Sequence, residues 1–208
     1  MRELILIRHA ESEYNARKSE NLDSGLTPVG IKQATAMAEY LIDAIPPDKL
    51  ATFQCRVSPY LRCLQTARVI RKAMKKKINF SVDPGPREVM IFYDEFSMGT
   101  HRPRFSEMLW PDVPSWKFPK ETELDFKARM RAYLMGLGAG NYLIVSHGSP
   151  VGTLADMEMG FFDKPFSHKV IKNASLTWLI DGKPILFNHI AYPDEPIEEE
   201  LASPFMVL

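Results

Sequence analysis

With two cysteines in 208 residues, the chain has no disulfide framework and must fold on buried apolar surface. Cys55 lies in an apolar run of strand length, and Cys63 lines up with Ala67, Ile70 and Met74 on the inner face of a predicted helix. Both read as free, buried thiols. No stretch approaches the roughly 18–20 apolar residues that cross a bilayer, and the first apolar run follows Glu3 without a cleavage-like signal, so a cytoplasmic protein with no membrane partner is expected. An excess of either charge is missing too. Lys and Arg number 26, as do Asp and Glu, so no net field calls for nucleic acid, and any strong positive potential must be local. HExxH and CxxC spacings are absent, as is the GxSxG elbow of serine hydrolases, which argues against a catalytic metal and a Ser-His-Asp triad.

What is present alternates. Apolar runs predict strands at 3–8, 52–57, 78–82, 141–146, 174–180 and 184–190, with helices at 28–44, 60–76, 122–135 and 150–159 between them. That order predicts an α/β fold of three layers, with a mostly parallel sheet and one antiparallel edge closed by a hairpin at "DGKP", 181–184. Thr27 can cap the first helix, Pro28 suits its first position, and Leu26 can staple onto Ile31. Ala34, Met37, Ala38, Leu41 and Ile45 mark its buried face. Thr122 and Asp125 form a capping-box pattern for the third helix, which stops at the glycines of "GLGAG". The whole of 1–208 reads as one domain. Between about 84 and 120, prolines and aromatics crowd into a segment that reads as an inserted cap or substrate loop, or as a satellite aromatic cluster.

Two strands end on histidine. "LILIRHAESEYN", 4–15, stops its apolar run at Arg8 and His9, and "NYLIVSHG", 141–148, stops at His147 and Gly148. In a parallel sheet both histidines emerge at the carboxyl edge, where open α/β sheets bind ligands. "RVSPYLRCLQTARVI", 56–70, runs from a strand into a helix whose first turn carries Arg62, beside free backbone N–H groups. Two guanidinium forks, two imidazoles and a helix start suit a phosphate, whose oxygens match the fork geometry. A metal held by His9, Glu11, Glu13 and His147 is the competing chemistry, and two arginines would oppose it.

Taken in order, "IRHAESEYN", "LTPVGIKQA", "SPYLRCLQTA", "VSHG" and "NASLTWL" resemble the histidine phosphatase superfamily, which has the phosphoglycerate mutase-like fold. The resemblance spans 4–179, apart from the interior of 89–120. It implies a metal-independent phosphomonoesterase, needing no cofactor, that passes a phosphoryl group through His9, with Arg8, Arg62 and His147 as charged walls. Asn15, Ser12 and Gly148 would contact the substrate, a small phosphomonoester. The family's proton donor follows the third strand, which implies Glu88, with Glu95 and Asp94 as substitutes. Ala10 replaces the usual glycine and Ser12 a common threonine. After Glu88 the glycine-tryptophan pattern of many small phosphatases is missing, as are the arginine and tyrosine of true mutases.

A mutase is the rival enzyme. Only ten residues separate Asn15 from Leu26, which leaves little chain for a clamping loop. The non-catalytic alternative is a module that binds a phospholigand. In the insertion, Phe92, Tyr93, Phe96, Trp110 and Trp116 favour an apolar leaving group, whereas His101, Arg102, Arg104 and Lys117 favour a second anion. Substrate and oligomeric state stay open at this level.

Overall fold

The computed structural model describes residues 1–75, 77–89, 117–162 and 170–192, and the backbone of 95–97. Glu95 as a side chain, Asp94, and the aromatic and basic side chains expected at 92–116 therefore lie outside the described residues.

In chain order the elements are β1 (Arg2–Arg8), α1 (Pro28–Ala44), α2 (Pro47–Leu50), β2 (Phe53–Val57), α3 (Leu61–Ala73) and β3 (Phe80–Val82). They continue with β4 (Glu95–Ser97), β5 (Lys117–Pro119), α4 (Glu123–Leu137), β6 (Gly140–Ser146), α5 (Gly148–Glu158), β7 (Ser175–Ile180) and β8 (Lys183–Ile190). The main sheet has the order β3-β2-β6-β1-β7-β8. β3, β2, β6 and β1 run parallel, whereas β7 is antiparallel to β1 and β8 to β7. The mostly parallel sheet with an antiparallel edge is thus as expected. Asp181 and Gly182 both take positive φ between β7 and β8, as a two-residue hairpin turn requires.

Strand alternation builds a core on each face. Ile5 and Ile7 join Met37, Leu41, Leu64 and Ile70 on the α1 and α3 side. Leu4 and Leu6 join Phe126, Met130, Leu134 and Leu154 on the α4 and α5 side. Each such side chain contributes about 1.5–3 kcal/mol on burial, so β1 is fixed from both faces and its end can bear polar groups rigidly. Cys55 and Cys63 are both free and buried, as expected.

Three local expectations fail. Leu26 packs against the core, but Ile31 is 50% exposed and makes no staple. Gly30 is the first-turn residue pressed against the loop after β1, where a Cβ would stand 2.1 Å from the Glu11 carbonyl oxygen. The helix expected to reach 76 ends at Ala73, because Lys75 takes the left-handed region at φ 50°. Strand 78–82 contracts to Phe80–Val82. The single turn of α2 escaped the periodicity reading because four residues are too few to show a period.

Thr27 caps α1 through Gly30 N–H at 2.9 Å. Thr122 and Asp125 close the capping box of α4, which stops at Gly138. Within the segment expected to be inserted, β4 and β5 pair antiparallel and Phe118 is buried in the core. Among the described residues, no helix is long and apolar enough to cross a membrane.

Candidate active site

Parallel pairing of β1 with β6 puts Arg8 opposite Ser146, so the next residues, His9 and His147, leave the sheet side by side. Their rings meet edge to face with centroids 5.3 Å apart. His9 N–H continues the ladder to the Ser146 carbonyl at 2.8 Å, and the His9 carbonyl accepts from Ala174 N–H at 3.1 Å. The backbone carrying His9 is therefore tied to both neighbouring segments.

Arg62, in the first turn of α3, lies between the two rings. Its Nε donates to His9 Nε2 at 3.0 Å, and Nη2 lies 3.0 Å from His147 Nδ1. Because an arginine only donates, both of these ring nitrogens act as acceptors. The remaining proton on His9 is then on Nδ1, which donates to the Ala10 carbonyl at 2.8 Å. On His147 it is on Nε2, 2.8 Å from Ser58 Oγ. Burial first, then Arg62 and neighbouring positive charge, holds both histidines well below the usual 6.5. Both rings are neutral.

Arg8 turns its guanidinium to the Ile171 carbonyl, and its chain passes 3.6–3.7 Å from where a Cβ on Gly148 would stand. Tyr60 carries the Arg62 guanidinium over its ring at 4.6 Å and meets His147 edge-on at 4.7 Å. One expectation needs correction here. The α3 N-terminus is not free for an anion, because Asp23 from the preceding loop accepts Leu61 N–H at 2.6 Å. At this helix start the positive charge for a ligand comes from the Arg62 side chain. The N-terminus beside the site is that of α5, which begins at Gly148 directly after His147.

Glu88 lies beyond β3, with Oε1 accepting its neighbour Val89 N–H at 3.0 Å and Oε2 3.7 Å from His147 Nδ1. Its side chain keeps 27% exposure, yet burial of the carboxyl outweighs Arg62 and Arg8 and raises its pKa above the usual 4.5. At 3.7 Å the carboxyl and the neutral imidazole are neighbours without a direct hydrogen bond. Ser12 is fully buried, and its hydroxyl is engaged with Asn15, donating to Oδ1 at 3.0 Å and accepting Asn15 N–H at 3.2 Å. Asn15 is thereby held at the turn after β1. Among the described residues no group of three His, Cys, Asp or Glu could hold a metal ion.

Sequence reasoning missed four supporting residues. Thr66, one turn after Arg62, accepts Ala10 N–H at 3.1 Å and donates to the Arg62 carbonyl at 2.8 Å, linking the loop after His9 to α3. Ser58 Oγ takes up His147 Nε2 at 2.8 Å and Asp23 caps α3. Arg129 grips the turn that carries Glu88. A polar residue at a strand end or on an amphipathic helix gives no sign of its distant partner, although the spacing of Thr66 from Arg62 does place both on one helix face.

The sequence matches the family described as Histidine phosphatase superfamily (branch 1) over residues 4–183. This chain belongs to that superfamily. A curated relative from Hydrogenobacter thermophilus, named "Putative phosphoserine phosphatase 2", is 28% identical over 187 residues, 85% of this chain and 88% of the relative. Another, "Probable phosphoglycerate mutase" from Photorhabdus laumondii, is 28% identical over 221 residues, 97% of this chain and 99% of the relative. Among solved structures, an Entamoeba histolytica phosphoserine phosphatase mutant in complex with phosphoserine superposes with a TM-score of 0.60. It is 22% identical, covers 89% of this chain and 95% of its own, and supports the fold. Ala10 fits at the position where the superfamily resemblance expects glycine, for it is fully buried without displacing the Thr66 contact.

Proposed function

We propose that this histidine phosphatase superfamily protein hydrolyses small phosphomonoesters through a phosphohistidine on His9, without a resident metal. The observation that carries the reading is the tautomer of His9: Nδ1–H is held by the Ala10 carbonyl, so Nε2 presents a lone pair toward Arg62. An entering phosphoryl group takes over the Arg62 N–H groups and leaves that lone pair free to attack phosphorus. Arg8 and Arg62 compensate the charge on the phosphoryl oxygens as the P–O bond to the leaving group breaks. Neutral His147 adds a hydrogen bond after a change of tautomer or a charge once protonated. Glu88 gives its proton to the departing oxygen, then accepts one from the water that attacks the phosphohistidine. As the P–N bond breaks, its electron pair returns to Nε2 and His9 is again neutral.

Ser12 acts through Asn15, which faces the phosphate with Gly148 and the start of α5. A hydrolase is favoured over a mutase by the short 16–25 segment. The test is rapid quenching at neutral pH, in the presence of a strong chelator, followed by mass spectrometry. Phosphate on His9, stable in alkali and labile in acid, is the expected result, and His9→Ala loses both label and activity. Label on His147 or Ser149, or activity that disappears with the chelator and returns with a divalent ion, overturns it.

A further inference from the structure

The turn that carries Glu88 has no ladder or helix of its own between β3 and Val89. Four successive carbonyls in it are nevertheless bound by side chains from elsewhere. Pro86 O accepts from Ser146 Oγ on β6 at 2.5 Å. The other three accept from Arg129 on α4: Gly85 O at 2.7 Å and Arg87 O at 3.2 Å from Nη1, and Glu88 O at 3.5 Å from Nη2.

Arg129 is itself held. Its Nε donates to Glu121 Oε2 at 3.0 Å and its Nη2 to Glu121 Oε1. These contacts give each of the five guanidinium N–H groups one acceptor, in the fixed fork that only arginine offers. Glu121 is 6% exposed and also meets Arg87 at 3.4 Å. The helix beneath is anchored by its capping box and by Phe126 and Met130 in the core. A rigid helix therefore reaches across to the backbone on both sides of the acid.

We propose that Arg129, oriented by Glu121, is a positioning residue for the proton donor: it fixes the Glu88 backbone so that the carboxyl meets the leaving-group oxygen. The inference rests on Glu88 being that donor. A buried ion pair that only stabilises the fold would lower turnover of every substrate alike. A clamp on the acid lowers it most where the leaving group needs a proton, and loses its effect once the acid is gone.

The experiment compares kcat/KM for an alkyl phosphate and for 4-nitrophenyl phosphate in Glu88→Gln, Arg129→Gln and the double variant. The alkyl-to-aryl ratio falls about 100-fold in Glu88→Gln and about tenfold or more in Arg129→Gln, since displacement near 1 Å suffices for such losses. In the double variant, alkyl activity stays at the Glu88→Gln level, because the two changes remove one function. Equal loss on both substrates in Arg129→Gln, or a double variant that multiplies the single effects, overturns the clamp while leaving Glu88 as donor. A Glu88→Gln enzyme with no ratio change overturns the donor and the clamp together. If Arg129→Gln does not fold, Arg129→Lys, with three donors instead of five, must show the same ratio change. Full alkyl activity in that variant, or its failure to fold, also overturns the proposal.

Discussion

Arg62 Nε donates to His9 Nε2 across 3.0 Å, so the guanidinium that would bind a phosphoryl group also dictates that the imidazole be uncharged. The same contact shields the ring from protonation and aligns it. Burial and the Arg62 contact together keep the ring neutral, with consequences for pH.

Stability should fall as the solution becomes more acidic. The folded pKa values of His9 and His147 lie well below the unfolded 6.5, so their contribution is present above 6.5 and is lost as pH falls toward the folded values. Melting temperature measured from pH 8 down to pH 5 should decline, and phosphate should restore part of the loss. A melting temperature that rises over that range would contradict neutral buried histidines.

Glu88 titrates with the opposite consequence. Its folded pKa is raised above 4.5, so its share of stability is present below 4.5 and is lost as pH climbs through the raised value. In the proposed mechanism the protonated form is the donor, so kcat for an alkyl phosphate should drop along an alkaline limb governed by that pKa. Glu88→Gln should abolish this limb. A limb of unchanged position in that variant would assign it to another group.

Thr66→Val removes a hydroxyl of nearly the same shape and strands the buried Ala10 N–H. A buried donor left unpaired costs about 1–3 kcal/mol, so urea unfolding should show a loss of that size, with kcat falling because the loop after His9 is released. Thr66→Ser keeps the hydroxyl and should recover most of both. Full kcat in Thr66→Val would show that the loop needs no such tie.

Gly30→Ala sets two effects against each other. Alanine gains about 1 kcal/mol over glycine in a helix, yet its methyl would stand 2.1 Å from the Glu11 carbonyl oxygen, and forced backbone shifts of this sort cost about 1–3 kcal/mol or more. The clash should win, and since Glu11 lies two residues past His9, activity should fall with stability. A more stable variant in calorimetry would mean the loop yields freely.

Legibility followed the range of the interactions. β1, β6, α1 and the hairpin at Asp181 and Gly182 were readable because periodicity, caps and turn residues act within a few positions. Arg8, His9, Arg62 and His147 could be placed on one edge once the strands were taken as parallel. The Asp23 cap on α3 was not readable, since 38 residues separate donor and acceptor. Nor were Ser58 beside His147 or Arg129 over the 85–88 turn, for partners 89 and more than 40 residues apart leave no mark on local pattern. Ile31 misled because its apolar side chain fits a staple while the neighbouring glycine makes the contact.

The strand order also sets a timetable for synthesis. β1 lies between β6 and β7, so the segment bearing His9 leaves the ribosome long before either neighbour exists. Until residue 146 has emerged, Leu4, Ile5, Leu6 and Ile7 have no strand to pair with, and the site cannot assemble piecemeal. Nascent chains arrested before β6 should hold this apolar segment open to chaperones and proteases, whereas chains arrested after β7 has cleared the exit tunnel should resist digestion.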